Sequence, residues 1–393
     1  MNLKTIKNSR RSFLKTLAFT SLAPPLILQD RNRASKDQTG TGFSNHTIRK
    51  IDIHTHISSH AEYLKEIMDT WNLKMFTICN EGLKSDRLEA QRKIAIDLWQ
   101  EYPRYYAWCT TFDLNGIQDQ GWTDRVIRQL QADFDRGALA VKIWKEVGMQ
   151  LKDKNGDFIQ IDDPVFEPVL QYISSRNKTL FTHIGDPVGY WLSTRPDGMS
   201  DAWYKEGNGV WNRIGEFKGE VSYDTLMRAR DQVILKYPDL KMVGCHLGSM
   251  AFDVDEIASR LDVFPNFAVE TSFTFPDLMG QSRNKVRDFF IRYQDRILYG
   301  SDISGGLVAT PFLVDMSKIL EQWTPEEIDR LKADLMQQYE RDFNYLATGQ
   351  EFTRDHYQVR GLELPETVLK KIYYNNAVSW VPGVEKGFEG KQP

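Results

Sequence analysis

From residue 48 to about residue 305 the chain repeats one unit, a short apolar run followed by a longer stretch whose apolar residues recur at helical spacing. Strands separated by helices must run parallel, because each connection crosses back over the sheet. Eight runs qualify: KIDIHTH (50–56), KMFTICN (74–80), YYAWCTT (105–111), LAVKIW (139–144), TLFTHIG (179–185), KMVGCHLG (241–248), NFAVETS (266–272) and RILYGSD (296–302). Between them, Val126, Ile127, Leu130 and Phe134 show the helical period. Eight such units close a (β/α)8 TIM barrel, which takes residues 48–393 as one domain. A doubly wound open sheet is the competing arrangement, but no glycine-rich phosphate turn follows the first run.

Two parts depart from the repeat. The connection after the fifth strand, about residues 186–240, is long for a βα loop and reads as a lid. It carries Tyr190, Trp191, Trp203, Tyr204 and Trp211, with Arg195 and Arg213. Tyr190 and Trp191, just beyond His183, are candidates for substrate contact, and Arg195 or Arg213 could clamp a carboxylate. Packing of a long loop is the plainer reading of the same residues. Past residue 305, helical patterns at 325–343 and 365–377 form a C-terminal extension rather than a second domain.

The N-terminus reads as an address. SRRSFLK (9–15) pairs Arg10 and Arg11 ahead of Phe13 and Leu14, and an apolar stretch runs to Leu28, broken by Pro24 and Pro25. This is the pattern of a twin-arginine export signal over residues 1–28, followed by a polar linker over 29–47. The apolar part falls short of the roughly 20 residues that a membrane span needs. The expected location is therefore periplasmic or exported, with the twin-arginine machinery as a partner and no stable membrane span. A net charge of -4 gives no reason to expect nucleic acid. Homo-oligomerisation stays open.

Chemistry concentrates at the carboxyl ends of the runs. His54 and His56, at i and i+2 in the first run, point to the same face because side chains in a strand alternate, so both can reach one ion. His183, His246 and Asp302 end the fifth, sixth and eighth runs. Four of the chain's seven histidines thus stand where barrels of this kind place catalysis. His46, His60 and His356 lie elsewhere. Imidazole with carboxylate suits zinc, with manganese or iron as alternatives. Cys79, Cys109 and Cys245 have no C-x-x-C spacing and read as buried thiols.

Together IDIHTH, TLFTHIGDP, VGCHLGS and ILYGSD resemble the amidohydrolase-related ("amidohydrolase 2") branch of the amidohydrolase superfamily, over about residues 50–380. The resemblance implies His54, His56 and His183 as metal ligands, and Asp302 as ligand, general base or both. His246 would bind a second metal or act as acid/base and oxyanion stabiliser. Lys142 falls near a lysine that some relatives carboxylate to bridge two metals, so one or two ions are expected; a buried-stem structural lysine is the alternative. Glu270 is a candidate to orient a ligand histidine, or else an ordinary ion-pair partner. The expected activity is hydrolysis of a C–O or C–N bond of a small organic substrate by metal-activated water. Two readings stand beside it: decarboxylation or C–C cleavage of an unsaturated or aromatic acid on the same fold, and an exported binding protein without turnover.

Overall fold

The computed structural model describes residues 45–186, 188, 191, 221–304, 323–354 and 357–388. The expected signal segment, most of the expected linker, Tyr190, Arg195 and Arg213 lie outside them. Eight strands form one parallel sheet in chain order: β1 (Lys50–Thr55), β2 (Leu73–Ile78), β3 (Tyr106–Thr110), β4 (Ala140–Ile143), β5 (Thr179–Thr182), β6 (Met242–Gly244), β7 (Phe267–Glu270) and β8 (Ile297–Leu298). Every residue in these strands is buried, as expected where helices cover one face and the barrel interior the other. The sheet closes on itself. Ile53 N–H donates to the Tyr299 carbonyl at 3.0 Å, Asp302 N–H donates to the His54 carbonyl at 2.8 Å, and Thr55 bridges Ile303.

The helices α1 (Glu62–Trp71), α2 (Ser85–Glu101), α3 (Trp122–Asp135), α4 (Glu167–Ser175), α5 (Tyr223–Lys236), α6 (Val254–Val263) and α7 (Arg283–Arg292) alternate with the strands. In α3 the spacing that marked the helix also sets its buried face, with Val126, Leu130 and Phe134 packed inward. Each such side chain contributes about 1.5–3 kcal/mol, an upper estimate because the unfolded chain already hides some surface.

The extension completes the core. Helix α8 (Pro325–Ala347) begins with a capping box between Thr324 and Glu327 and with Pro325 in its first turn. A hairpin of β9 (Glu351–Arg354) and β10 (Tyr357–Arg360) follows, which the sequence reading did not anticipate. Trp380, Val381, Val384 and Phe388 then join Ile51, Ile53, Phe76, Phe181, Val243 and Leu298 in one apolar cluster and seal the barrel interior. No helix among the described residues is long and apolar enough to cross a membrane.

Every strand is shorter than its apolar run, and in the fifth, sixth and eighth the candidate site residues fall past the ladder. His183 follows β5 and Asp302 lies in the turn after β8. The sixth run breaks after Gly244: His246, Leu247, Gly248 and Ser249 take left-handed backbone angles and wind into a tight turn. An apolar run records burial, and buried turn residues extend it beyond the ladder.

Candidate metal centre

Local backbone irregularity delivers the histidines. Strict alternation would place Asp52, His54 and His56 on one face. Instead the β1–β2 register slips by one residue between Asp52 and Thr55, a β-bulge. Ile51 and Ile53 therefore pack in the barrel core, Asp52 meets Ser301 and Tyr339 of α8, and His54 faces Glu270 and Asp302.

His54 and His56 reach the same carboxylate oxygen. Their Nε2 atoms lie 3.4 and 3.3 Å from Asp302 Oδ1. Hydrogen positions follow from the partners. His56 Nδ1–H donates to the Ile78 carbonyl at 2.9 Å, and His54 Nδ1–H donates to Glu270 Oε1 at 2.9 Å. Burial, with the charge of Lys142 adding to it, holds His54 well below its usual range, so its ring is neutral and its Nε2 carries only a lone pair. Burial alone would raise the Asp302 carboxyl, but the rings of His54, His56 and His246 around it together hold it below the carboxylate range. Electron-rich atoms thus converge, and a cation among them turns repulsion into coordination. These three ligand atoms lie within 4.8 Å of one another. Their types fit a divalent ion such as zinc.

Glu270 is the hub behind this set. Its Oε1 accepts from His54, from His246 N–H at 2.8 Å and from the Ser272 hydroxyl at 2.8 Å, and its Oε2 accepts from Ser272 N–H at 2.6 Å. Such a carboxylate fixes the tautomer and orientation of a ligand histidine. Ser272, which the sequence reading missed, links both rings: its hydroxyl lies 2.9 Å from Nδ1 of His54 and of His246. Its small polar type in VETS offered only a faint signal.

His246 Nδ1–H donates to the Ser272 carbonyl at 2.9 Å, and its Nε2 then accepts from His183 Nδ1 at 3.2 Å. His183 therefore stands against His246, outside the three-atom set, with burial and His246 lowering its pKa. Its bare Nε2 lies 3.9 Å from Asp186 Oδ1, an oxygen held at 2.6 Å by Lys145. Lys142 is fully buried, and its amine donates to Cys245 Sγ at 2.8 Å. Cys245 also lies within 4.8 Å of ligand atoms of His54 and Glu270, but the Glu270 oxygens are already committed to four donors. All three cysteines are free and buried, as expected. Trp191 packs edge-on against Tyr223 and donates to the Val221 carbonyl at 2.7 Å, at the base of the long connection. His46 and His60 stack on Trp71 and Tyr102, away from the centre.

A closed parallel barrel with a histidine–carboxylate centre at the carboxyl ends of its strands defines a metal-competent enzyme fold. The chain belongs to the amidohydrolase family, whose profile, described as Amidohydrolase, matches residues 51–382. Solved structures similar to it include 2,6-dihydroxybenzoate decarboxylase from Rhizobium, at 13% identity, covering 85% of this chain and 98% of that one with a TM-score of 0.45. Another is 4-oxalomesaconate hydratase from Rhodopseudomonas palustris, at 11% identity, 85% and 95% coverage and a TM-score of 0.43. A third is an amidohydrolase from Burkholderia multivorans, at 10% identity, 85% and 99% coverage and a TM-score of 0.44. A search of curated proteins found no match.

Proposed function

We propose that this protein is an exported, metal-dependent hydrolase that cleaves a C–O or C–N bond of a small organic substrate. One observation carries the reading: two imidazole nitrogens converge on one carboxylate oxygen, and the other nitrogen of each ring is already tied down. His54, His56 and Asp302 would hold the ion, and His183 could complete the set through its Nε2. When bound, a divalent ion supplies Lewis acidity, which acidifies water or polarises a substrate oxygen.

The protein's own groups do the rest. Asp302 is about one-quarter exposed, so its carboxylate can take a proton from an incoming water. Glu270 holds the His54 ring in place through Nδ1. His246, with Nδ1–H fixed on the Ser272 carbonyl, keeps Nε2 on His183 Nδ1–H, and breaking that bond would free Nε2 to take a proton. The Lys142 amine donates to Cys245 Sγ, near enough to His54 for its charge to help keep that ring neutral.

A decarboxylase or C–C lyase reading draws on a different observation. Lys145, held by Asp186, places its ammonium over Trp144 beside His183, a seat for a substrate carboxylate. Two measurements on the protein purified without chelators separate these readings. Metal content per chain, against Asp302→Ala, tests the centre. Turnover of ester, lactone and amide panels, against carbon dioxide release from aromatic and unsaturated acids, tests the reaction. Metal at stoichiometry with hydrolysis of one panel supports the proposal; carbon dioxide release alone would replace it with the lyase, and no metal in either protein would end both. Export through Arg10 and Arg11 is tested by periplasmic fractionation of the full chain and of its Arg10→Lys, Arg11→Lys variant.

A further inference from the structure

The first strand carries an aspartate that the proposed chemistry does not use. Asp52 is fully buried beside the bulge, turned away from the ion-binding atoms. Four donors converge on it. Its Oδ1 accepts from the backbone N–H of His54 at 3.2 Å and of Ser301 at 3.0 Å. Its Oδ2 accepts from the Ser301 hydroxyl and from the Tyr339 hydroxyl at 2.7 Å.

These donors come from three parts of the chain, and each bears on the centre. His54 N–H belongs to a ligand at the bulge. Ser301 precedes Asp302, whose backbone sits in the left-handed region with φ of 62°, a conformation uncommon outside glycine although aspartate tolerates it better than most. Asp302 N–H and His56 N–H then stitch that turn to β1, donating to the carbonyls of His54 at 2.8 Å and Ile303 at 2.7 Å. Tyr339 comes from α8, beyond the barrel repeat, and its neighbour Gln338 donates to the Ser301 carbonyl at 3.4 Å. One buried carboxylate thus holds the bulge that aims His54 and the turn that aims Asp302, and α8 braces it from outside.

We propose that Asp52 is a positioning residue for the metal centre, and that Tyr339 extends this role to the C-terminal helix. The inference rests on the reading of His54, His56 and Asp302 as ion-binding residues. It gives the C-terminal extension a part in the site, through a hydroxyl that touches neither ion nor substrate.

The test is zinc affinity of the full chain, by competition with a chromophoric chelator, read beside metal-free thermal stability. Asp52→Ala leaves two buried backbone N–H groups without an acceptor and should weaken zinc binding about 10–100-fold. Asp52→Asn should restore most of the loss, because its amide oxygen still accepts from His54 and Ser301 while its NH2 donates to the two hydroxyls. Tyr339→Phe removes a single hydroxyl and should cost roughly threefold to tenfold in affinity. Leu331→Ala, a core truncation on the same helix, should lower stability and leave zinc affinity unchanged. The proposal falls if Leu331→Ala weakens zinc as much as Asp52→Ala, or if Asp52→Ala and Tyr339→Phe bind like the wild type. Should Asp52→Ala fail to fold, Tyr339→Phe decides alone. Absence of zinc binding by the wild type would instead overturn the metal-centre reading itself.

Discussion

Replacing Gly300 with alanine puts one methyl group into the most crowded point behind the centre. A Cβ there would lie 2.4 Å from Glu270 Oε2, 3.0 Å from His54 Cβ and 3.3 Å from Ser272 Cβ, where ordinary contact begins at 3.4 Å. The Glu270 oxygen must retreat by about 1 Å. It has little room, since Oε2 accepts from Ser272 N–H at 2.6 Å and Oε1 holds His54, His246 and Ser272 at 2.8–2.9 Å. A shift of that size stretches these bonds past useful length, and hydrogen bonds to a charged group are worth about 1.5–3 kcal/mol each. Overpacking adds about 1–3 kcal/mol, while some bonds re-form through relaxation. A net loss of about 3 kcal/mol follows, lowering Tm by about 4 °C. Because the displaced carboxylate orients His54, zinc affinity should also fall about 10–100-fold. Thermal unfolding with and without zinc, and chelator competition, measure both. A Gly300→Ala protein with wild-type Tm and wild-type zinc affinity would refute the argument that Glu270 is pinned.

Glu270→Gln keeps the shape but sets an NH2 against one of the N–H donors, and should weaken zinc binding about tenfold with a smaller loss of stability, seen in the same competition assay. Glu146 is buried beside Glu81, and burial pushes its carboxyl from 4.5 up to about 7. The folded state holds this proton more tightly than the unfolded chain does, so unfolding releases it between about pH 4.5 and 7, and the contribution to stability falls as the pH rises through that window. Glu146→Gln should flatten the pH profile of Tm there and gain on the order of 1 kcal/mol at pH 7; an unchanged profile would assign the slope elsewhere. Thr324→Ala removes one half of the capping box of α8 and should cost about 1 kcal/mol in chemical denaturation without changing zinc affinity.

Much of the barrel was legible because its signal is local. Each apolar run marked a strand within a few residues, and the period of α3 marked its buried face. The hairpin of β9 and β10 escaped because its segments are only 4 residues each, too short for the alternation of Tyr357 and Val359 to mark a strand. At the site, residue type and strand-end position picked out His54, His56, Asp302 and Glu270, which the fold brings together, while His183 meets His246. Lys142 shows where such reading stops: its place in the fourth strand was visible, but its contact with Cys245 depends on how two distant strands face each other across the barrel.

The amino-acid sequence alone therefore determined the number and order of the βα units and the inventory of donor atoms at their carboxyl ends, because hydrophobic periodicity and side-chain chemistry are properties of neighbouring residues. Only the tertiary structure decided where those donors point. The slip of register after Asp52, the left-handed turns at His246 and Asp302, the place of the Ser272 hydroxyl between two imidazoles, and the reach of Tyr339 across 287 residues to Asp52 are all settled by contacts between distant segments. Buried polar groups must find partners somewhere, and which partner each finds is known only once the chain has closed around them.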